Sequence, residues 1–382
     1  MNYNLLIKEL ESKTSRIFKE NVILREMRSN NDIFFEGLAF ACDKLFTFGI
    51  KKVLESKLDG PGLEWNEFKN CLLKLNKREI TGNQAKNAVN IMLEKSTKDE
   101  WNYFYRRILI KDLRCGLSEK TINNVARKNN FPKYEIPVFQ CQLAQDSELH
   151  KKKLVGTKLL EVKLDGVRAI SIIHSNGNVD MFSRNGKELL NFENIKQQLA
   201  ETFEKRIENR SIVLDGELIS KNFQDLMKQI YRKDNVQNND ANLYLFDFLD
   251  LTEFKSGVSN KIQEIRMIEL NDWYKKNQRL LSKVKLLDTK IVDLDTENGK
   301  EEFKQFNNNS VIDGFEGIMI KDPKAKYECK RSSSWLKSKP VIEVSLTVKS
   351  IEEGTGKNKG RLGAISAEGK DNNKKFKISV GS

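Results

Sequence analysis

The sequence predicts a multi-domain chain with an all-α first third, a larger α+β middle and a short β segment at the carboxyl end. Three observations support this division. Apolar residues recur at helical spacing up to about residue 132, β-rich runs that end in charged residues follow up to residue 339, and an alternating pattern begins after Pro340. A chain of 382 residues is long enough for two or three domains. We expect them at residues 1–132, 133–339 and 340–382.

The first third carries helix signals and an excess of positive charge. Thr81-Gly82-Asn83-Gln84 has the pattern of a capping box, and Ser118 is expected to open a helix after Cys115-Gly116. Residues 1–132 hold 24 lysines and arginines against 17 aspartates and glutamates, a balance of +7 out of the chain's +13. Backbone amides at helix starts, beside such cations, suit contacts with phosphate, so this region favours nucleic-acid binding.

Lys163 lies between two β-rich runs, in the segment Glu161-Val162-Lys163-Leu164-Asp165-Gly166-Val167-Arg168. Asp165-Gly166 predicts a sharp turn. After this turn the chain reverses, so Arg168 is expected to face the group that Lys163 binds. A lysine acts as a nucleophile only when it is deprotonated, and its ordinary pKa of about 10.4 opposes this unless burial or neighbouring cations lower it. An Asp-Gly hairpin with a solvated lysine is the alternative, and this segment alone leaves both open.

Further charged and aromatic residues follow at the ends of predicted strands. Each one alone fits a solvated strand end. Together they supply a nucleophilic amine, two glutamates for a divalent metal, an aromatic ring for stacking a base and several cations for phosphates, which is the set needed for attack of a lysine on a nucleotide α-phosphate. They are Arg184 at a hairpin tip, Glu217 after a first strand, Phe246 in a second, Glu316 and Lys321 on either side of a third, and Lys337 and Lys339 on one face of a fourth.

In this order the motifs between Glu161 and Lys339 resemble those of the covalent nucleotidyltransferase superfamily, which includes ATP-dependent DNA ligases, RNA ligases and mRNA-capping enzymes. The resemblance implies an α+β nucleotidyltransferase domain, an ATP-grasp-like ligase core, that uses ATP and Mg²⁺. It also implies a role for each residue. Lys163 is the catalytic lysine that carries AMP, Glu161 reads the adenine edge, and Arg168 and Arg184 hold the ribose and the 5′-phosphate; Glu217 contacts the ribose or a metal, Phe246 stacks on adenine, Glu316 binds metal, and Lys321, Lys337 and Lys339 hold phosphates.

The first third is similar to the DNA-binding domain of phage-type and eukaryotic-type DNA ligases. The likeness rests on two segments, Arg78–Asn83 and Arg106–Gly116. The chain also resembles a tailed-phage DNA ligase over most of residues 1–340. RNA ligases and capping enzymes lack such a domain. The resemblance therefore implies nicked duplex DNA as the partner. The expected DNA contacts are Thr81, Gly82, Asn83, Arg106, Gly116, Ser118 and Lys120.

Composition limits the setting in which the chain works. The five cysteines are scattered and have no metal-ligand spacing, so we expect reduced thiols in a cytoplasmic compartment, the host cytosol if the chain is viral. No window is long and apolar enough for a membrane span, and the amino terminus does not resemble a signal peptide. We expect a monomer with no membrane partner.

The segment after Pro340 resembles the opening of the OB-fold that follows the core in DNA ligases. Three runs alternate as strands, Ile342–Val348, Leu362–Ile365 and Phe376–Val380, and a basic Gly-rich turn, Gly354–Gly360, lies between the first two. A five-stranded barrel needs more than the 43 residues from position 340 to 382, and the family's cationic sixth motif has no counterpart here. We therefore expect a partial OB-fold.

The sequence thus predicts an ATP-dependent DNA ligase that seals 3′-OH/5′-phosphate nicks in duplex DNA through lysyl-AMP and AMP-DNA. Two alternatives stay open at this point. One is an RNA ligase or a capping-type nucleotidyltransferase with the same core. The other is a nick-binding protein whose short tail impairs adenylylation.

Overall fold

The structure is a computed structural model that describes residues 3–50, 52–203, 210–221, 226–228, 237–339, 346–355, 359–371 and 374–381. Its chain divides into two compact units, Met1–Lys337 and Ser338–Ser382. The first unit contains a helical lobe followed by two sheets, and the helical core extends past residue 132 because Tyr134 and Ile136 pack in it.

The helical lobe is built around a core rich in aromatic side chains. Trp101, Phe34 and Phe104 are fully buried in it, and Phe34 stacks on Phe104 with ring centroids 6.3 Å apart. The helices are α1 (Tyr3–Glu11), α2 (Arg16–Arg28), α3 (Asp32–Cys42), α4 (Trp65–Asn76), α5 (Gly82–Lys95), α6 (Lys98–Glu100), a π-helical turn (Trp101–Tyr105), α7 (Arg106–Leu109) and α8 (Glu119–Lys128).

The expectation of helix throughout this lobe is wrong for residues 43–50 and 52–64, which form turns and irregular chain. Glycines and a proline in Gly60-Pro61-Gly62 oppose helix formation there. Side chains of the π-helical turn satisfy the backbone of the irregular segment instead. The Trp101 indole donates to the Leu54 carbonyl at 2.9 Å, and Asn102 bonds both the N–H and the C=O of Ser56 at 2.9 Å.

Both expected helix starts are confirmed, but only one has a side-chain cap. Ser118 precedes α8, and its hydroxyl accepts from the Thr121 N–H at 3.3 Å. Thr81 precedes α5 without a side-chain cap hydrogen bond, so the predicted capping box is wrong at that helix. Gly82 opens α5 with φ +54°, a conformation that favours glycine.

Two five-stranded sheets follow in the described residues of the first unit. The first sheet has the order β1-β12-β10-β2-β9, and the second has the order β4-β3-β5-β6-β8. The strands are β1 (Leu143–Asp146), β2 (Thr157–Val162), β3 (Val167–Ile173), β4 (Val179–Ser183), β5 (Ile212–Ile219), β6 (Asn242–Asp250), β7 (Val258–Ile262), β8 (Val284–Leu286), β9 (Lys290–Asp293), β10 (Ile318–Lys321), β11 (Lys326–Glu328) and β12 (Arg331–Ser338), with β7 and β11 paired apart from both sheets.

The two sheets share an apolar layer, and each has helices on its other face. The shared layer includes Val213 of the second sheet and Trp335 of the first. Helices Glu193–Glu201 and Gln263–Asn277 pack on the second sheet, and helix Glu297–Ile312 packs on the first. The polar composition of residues 297–310 predicts a surface loop, and this prediction is wrong. Phe303 and Phe306, three residues apart on one helix face, reach the sheet.

The second unit contains an antiparallel sheet of three described strands, β13 (Thr347–Glu353), β14 (Leu362–Asp371) and β15 (Lys374–Gly381), in the order β13-β14-β15. The two later strands confirm the prediction from the alternating pattern. The first expected strand begins at Thr347 in the structure. Residues 340–345, where the sequence predicted its start, lie outside the described residues, as do residues 356–358 of the Gly-rich turn. The partial OB-fold stays a prediction.

Two further features bear on the expectations from composition. No helix in the described part of the chain is long and apolar enough to cross a membrane. All five cysteines are free and buried, and burial raises the pKa of Cys42 to about 12.

Candidate active site

Lys163 lies where the chain passes from the first sheet to the second. The preceding strand, β2, belongs to one sheet and the following strand, β3, to the other. This excludes the Asp-Gly hairpin, because the two strands do not pair. Gly166 makes the crossing possible, since a Cβ at this position would collide with the Leu218 carbonyl of β5.

Glu316 is held opposite Lys163 by backbone pairing. Strand β10 runs antiparallel to β2, with Ile318 facing Val162. The pairing continues past the strand end, because the Lys163 N–H donates to the Gly317 carbonyl at 2.8 Å and the Glu316 N–H donates to the Lys163 carbonyl at 3.1 Å. The Lys163 amine contacts the Glu316 carboxylate directly. Both side chains keep some access to solvent, 21% and 27%, so the amine is open to a substrate.

Glu217 is a second carboxylate at this junction. It lies on β5 opposite Arg168 of β3. Burial raises its pKa to about 7, and the negative charges of Asp215 and Glu316 add to this rise, whereas Arg168 and Lys163 oppose it. Two carboxylates beside the Lys163 amine fit magnesium, which takes one or two carboxylates and completes its shell with water and substrate phosphates. The described residues contain no cluster of three or more His, Cys, Asp or Glu that would hold a metal alone.

Arg168 is fixed by a buried carboxylate that the sequence did not single out. Its guanidinium binds both oxygens of Asp215, with Nη2 at 2.6 Å from Oδ2. The Tyr327 hydroxyl donates to the same Oδ2 at 2.7 Å and accepts from the Gln142 N–H at 3.1 Å. Asp215 stands two residues before Glu217, so the alternation of β5 could have indicated it. Tyr327 follows an irregular stretch, and no sequence pattern pointed to it.

Phe246 is the extra residue of a bulge in β6. The pairing of β5 with β6 shifts beside Asp215, and bulges of this kind re-aim a side chain. As a result Phe246 and Phe248, two residues apart, pack on opposite faces of the sheet. Phe246 is half-buried in the layer between the sheets. The Arg168 guanidinium lies 4.6 Å from its ring centroid, and the Lys321 amine lies 4.9 Å from it.

Lys321 is not placed as the resemblance implied. Its side chain is 1% exposed, and its amine donates to the Glu161 carboxylate at 2.8 Å and to the Phe246 carbonyl at 2.9 Å. A triphosphate is strongly hydrated, whereas this amine is buried and already bonded. Glu161 is 4% exposed and also accepts from Thr289 at 3.2 Å. The expected phosphate contact of Lys321 therefore has no support in the geometry.

The remaining expected nucleotide contacts are less buried. Arg184 is exposed in the turn after β4, where Gly186 has φ +73°. Lys337 is half-buried on β12 opposite Asp146 of β1. Lys339 is exposed and follows β12 in the second unit. Phosphate contacts by these three residues stay predictions.

The expected DNA contacts of the helical lobe divide into two groups. Arg106 is tied inside the lobe, because its Nε donates to the Val53 carbonyl at 3.1 Å, its Nη1 lies 3.4 Å from Glu55, and only 13% of the side chain is exposed. That geometry opposes a phosphate contact by Arg106. The other residues are exposed and stay predicted contacts: Thr81, Gly82, Asn83, Gly116, Ser118 and Lys120.

Arg78, in one of the segments that resemble a ligase DNA-binding domain, connects the helical lobe to the sheets. Its Nη2 lies 3.2 Å from Asp180 of β4 and 2.8 Å from the Thr47 hydroxyl. The same carboxylate accepts from Thr47 at 3.0 Å and contacts His174 at 2.9 Å. These contacts, chiefly His174 and Arg78, hold the pKa of Asp180 at about 2 against the opposing effect of burial.

The chain is similar to a known family and to several known proteins. The family model of the ATP dependent DNA ligase domain matches residues 140–339. The chain is 25% identical to a DNA ligase of Methanocaldococcus jannaschii, over 93% of this chain and 70% of that protein. It is 26% identical to a DNA ligase of Methanococcus maripaludis, over 84% of this chain and 65% of that protein. It therefore spans about two thirds of the length of these relatives.

A solved structure titled Pmar-Lig_PreS3 is also similar. It is 48% identical to this chain, the match covers 100% of this chain and 88% of that one, and the TM-score is 0.66. The family model covers more than half of the chain and includes Lys163, Glu217 and Glu316. With its mixed α/β nucleotidyltransferase core, the chain belongs to the ATP-dependent DNA ligase family.

Proposed function

We propose that this chain is an ATP-dependent DNA ligase that seals nicks in duplex DNA, with AMP carried first by Lys163 and then by the DNA. One observation carries the proposal. The Lys163 amine is held against Glu316, beside Glu217, at the junction of two sheets, where a triphosphate can approach it. The family's use of ATP supplies the nucleotide.

In the first step the neutral Lys163 amine attacks the α-phosphorus of ATP. A nitrogen–phosphorus bond forms, the bond to the β-phosphate breaks, pyrophosphate leaves and the nitrogen loses a proton. The Lys163 amine contacts the Glu316 carboxylate, so this ion pair must open before the amine attacks. We infer that Glu217 and Glu316 would hold Mg²⁺, which would offset the charge that gathers on the leaving pyrophosphate.

In the later steps the DNA supplies the nucleophiles. An oxygen of the 5′-phosphate attacks the adenylyl phosphorus, the nitrogen–phosphorus bond breaks, and the Lys163 amine takes up a proton. The 3′-OH then attacks the 5′-phosphorus, a phosphodiester bond forms, and AMP leaves. Arg168 is held by Asp215, which also accepts a hydrogen bond from Tyr327, so its guanidinium offers a fixed positive charge at the same junction.

The helical lobe supports duplex DNA as the substrate. Its exposed helix starts at α5 and α8 present backbone amides and Lys120, which suit phosphate contacts without base readout. The family model and the named relatives favour DNA ligation over RNA ligation or capping. The particular likeness to tailed-phage ligases, the cytoplasmic location and the monomeric state stay predictions.

A sealing assay tests the proposal. The protein is incubated with ATP, magnesium and a nicked duplex that carries a labelled 5′-phosphate, and we expect the label to move into the longer ligated strand. The matched control is the same duplex with a 5′-hydroxyl at the nick, which should stay unsealed. Faster sealing of a nick whose two ends are RNA than of a DNA nick would contradict the assignment of substrate.

A further inference from the structure

A cavity of about 190 Å³ lies on the outer face of the first sheet, away from the layer that the two sheets share. Its apolar wall includes Ile320 and Leu336, which belong to the cluster that packs against helix Glu297–Ile312. A water molecule takes about 30 Å³, so the cavity has room for an ion of several heavy atoms. The polar residues that line it include Lys153, Lys158, Asp322 and Ser333.

Lys158 is buried at this cavity without a partner. Only 8% of the residue is exposed, and its amine makes no hydrogen bond or ion pair in the part of the chain that the structure describes. Burial of a charged amine without a partner costs free energy. A lysine that lines a cavity in this way is suited to hold an anion that enters the cavity.

Asp322 lies opposite Lys158 but does not neutralise it. Strands β2 and β10 pair with Leu159 facing Lys321, so the next position of this register brings Asp322 beside Lys158. No ion pair joins the two residues within the described ranges, and Asp322 Oδ1 accepts from the Lys324 N–H at 3.0 Å instead. The cavity therefore presents a positive charge and a hydrogen-bond acceptor to the same ligand, which must be an anion that also carries a donor.

We propose that this cavity binds a phosphate group that still carries a proton, as inorganic phosphate and phosphomonoesters do at neutral pH. The buried Lys158 and the exposed Lys153 donate to its oxygens, and the half-buried Ser333 offers a hydroxyl that has no partner among the described residues. A carboxylate accepts hydrogen bonds and donates none, so Asp322 accepts from the P–O–H group. Sulfate and phosphodiesters have no such proton and meet Asp322 as a second acceptor.

The site is separate from the lysine that is proposed to carry AMP. Lys158 precedes Lys163 by five residues, which is roughly 16 Å of extended chain. Phosphate in this cavity does not occupy the junction where ATP is proposed to bind. The inference therefore stands apart from the proposed function and can be tested without any transfer of AMP.

Calorimetric titration of the whole protein with inorganic phosphate, at neutral pH and constant ionic strength, tests the proposal. We expect saturable binding to one site. Lys158→Met should weaken this binding by at least about tenfold, since a hydrogen bond to a charged group is lost. Lys290→Met is the matched control. It removes a lysine of the same sheet that is already paired with Glu302, and it should leave the affinity within about twofold of wild type.

Titration with other anions shows whether the proton is recognised. The wild-type protein should bind sulfate and dimethyl phosphate at least about tenfold more weakly than inorganic phosphate. Asp322→Asn adds a donor and keeps Oδ1 for the Lys324 N–H, so it should bring the affinity for sulfate within about threefold of that for phosphate. Phenyl phosphate separates the two sources. Tighter binding than inorganic phosphate assigns a phosphomonoester, and weaker binding assigns free phosphate.

Thermal unfolding checks the fold of each variant. Without phosphate, Lys158→Met should be at least as stable as wild type, because it removes a buried charge that has no partner. Phosphate should raise the Tm of the wild-type protein and leave that of Lys158→Met unchanged. If Lys158→Met does not fold, the anion preference of Asp322→Asn decides.

Three results would overturn the proposal. The first is the absence of saturable phosphate binding to the wild-type protein. The second is equal phosphate affinity of Lys158→Met and Lys290→Met. The third is binding of sulfate or dimethyl phosphate to the wild-type protein as tightly as phosphate. A loss of phosphate binding in Lys337→Met but not in Lys158→Met would place the phosphate at the Lys163 junction, which also contradicts the proposal.

Discussion

Lys163 and Glu316 are joined twice, once through the amine and the carboxylate and once through the Glu316 N–H, which donates to the Lys163 carbonyl at 3.1 Å. The backbone bond extends the β2–β10 ladder past its last strand pair, so a strand end 153 residues away in sequence fixes the nucleophile and its carboxylate partner. The relative position of the two backbones is therefore set by the sheet, which brings the side chains within reach of each other.

Replacing Glu316 by glutamine should slow AMP transfer from ATP by about 100-fold or more, the size expected when a group that stabilises transition-state charge is lost. The backbone pairing with Lys163 remains, so the melting temperature should change little. Single-turnover labelling with ATP measures the rate. Glu302→Gln, which also removes a carboxylate paired with a lysine but on an outer helix, is the control and should keep the wild-type rate. Equal rates of AMP transfer for the two variants would show that Glu316 takes no part in this step.

Replacing Phe246 by leucine should raise the KM for ATP several-fold with a smaller effect on folding, if the ring stacks on adenine. The ring also contacts Trp335 at 6.0 Å between centroids, so a purely structural role is the competing account. That account predicts a loss of stability of roughly 2 kcal/mol or more with little change in KM. Thermal unfolding with and without ATP, together with the KM, separates them.

The raised pKa of Glu217 makes stability depend on pH. The folded chain holds the proton up to pH about 7, whereas the unfolded chain releases it near 4.5, so stability falls as pH rises between these values and the loss is complete above them. Because the side chain keeps some solvent contact, we expect roughly 1–2 kcal/mol. Glu217→Gln should abolish this loss and gain stability relative to wild type at pH 8 but not at pH 4.5. Denaturant titrations at both pH values measure it, and a constant difference would refute the assignment.

Replacing Lys120 should weaken DNA binding, whereas replacing Arg106 should lower the stability of the helical lobe. Lys120→Ala should weaken nick binding and reduce the slope of log K against log salt by about 0.9, the value for one phosphate contact. Arg106→Ala should leave that slope unchanged and lower the melting temperature, because Arg106 bonds Val53 and Glu55. Binding titrations at several salt concentrations give the slopes. The same slope change in both variants would contradict the division drawn between them.

The sequence predicted the strand ends well because strands with charged ends have local patterns. Lys163, Glu217 and Glu316 were singled out from those patterns, and the structure brings them to one junction. The helix start at Ser118 was predictable for the same reason, since its side-chain cap is local. The start at Thr81 was also predicted, although the cap expected there does not form.

Features that depend on contacts distant in sequence were not predictable. The bulge that turns Phe246 away from the side of Phe248 comes from the pairing of β5 with β6. Burial of Lys321 depends on Glu161, 160 residues earlier. The helix over residues 297–312 is polar along most of its length. Only the packing of Phe303 and Phe306 on the first sheet shows which face of this helix is buried.

The central claim is that Lys163 becomes covalently bonded to AMP. Intact-mass measurement of the protein after incubation with ATP and magnesium, followed by peptide mapping, tests it most directly. We predict a single added AMP on the peptide that contains Lys163, and none on Lys163→Ala protein that still binds nicked DNA. An adduct of the same mass on the Lys163→Ala protein, or on a different lysine of the wild-type protein, would contradict the account.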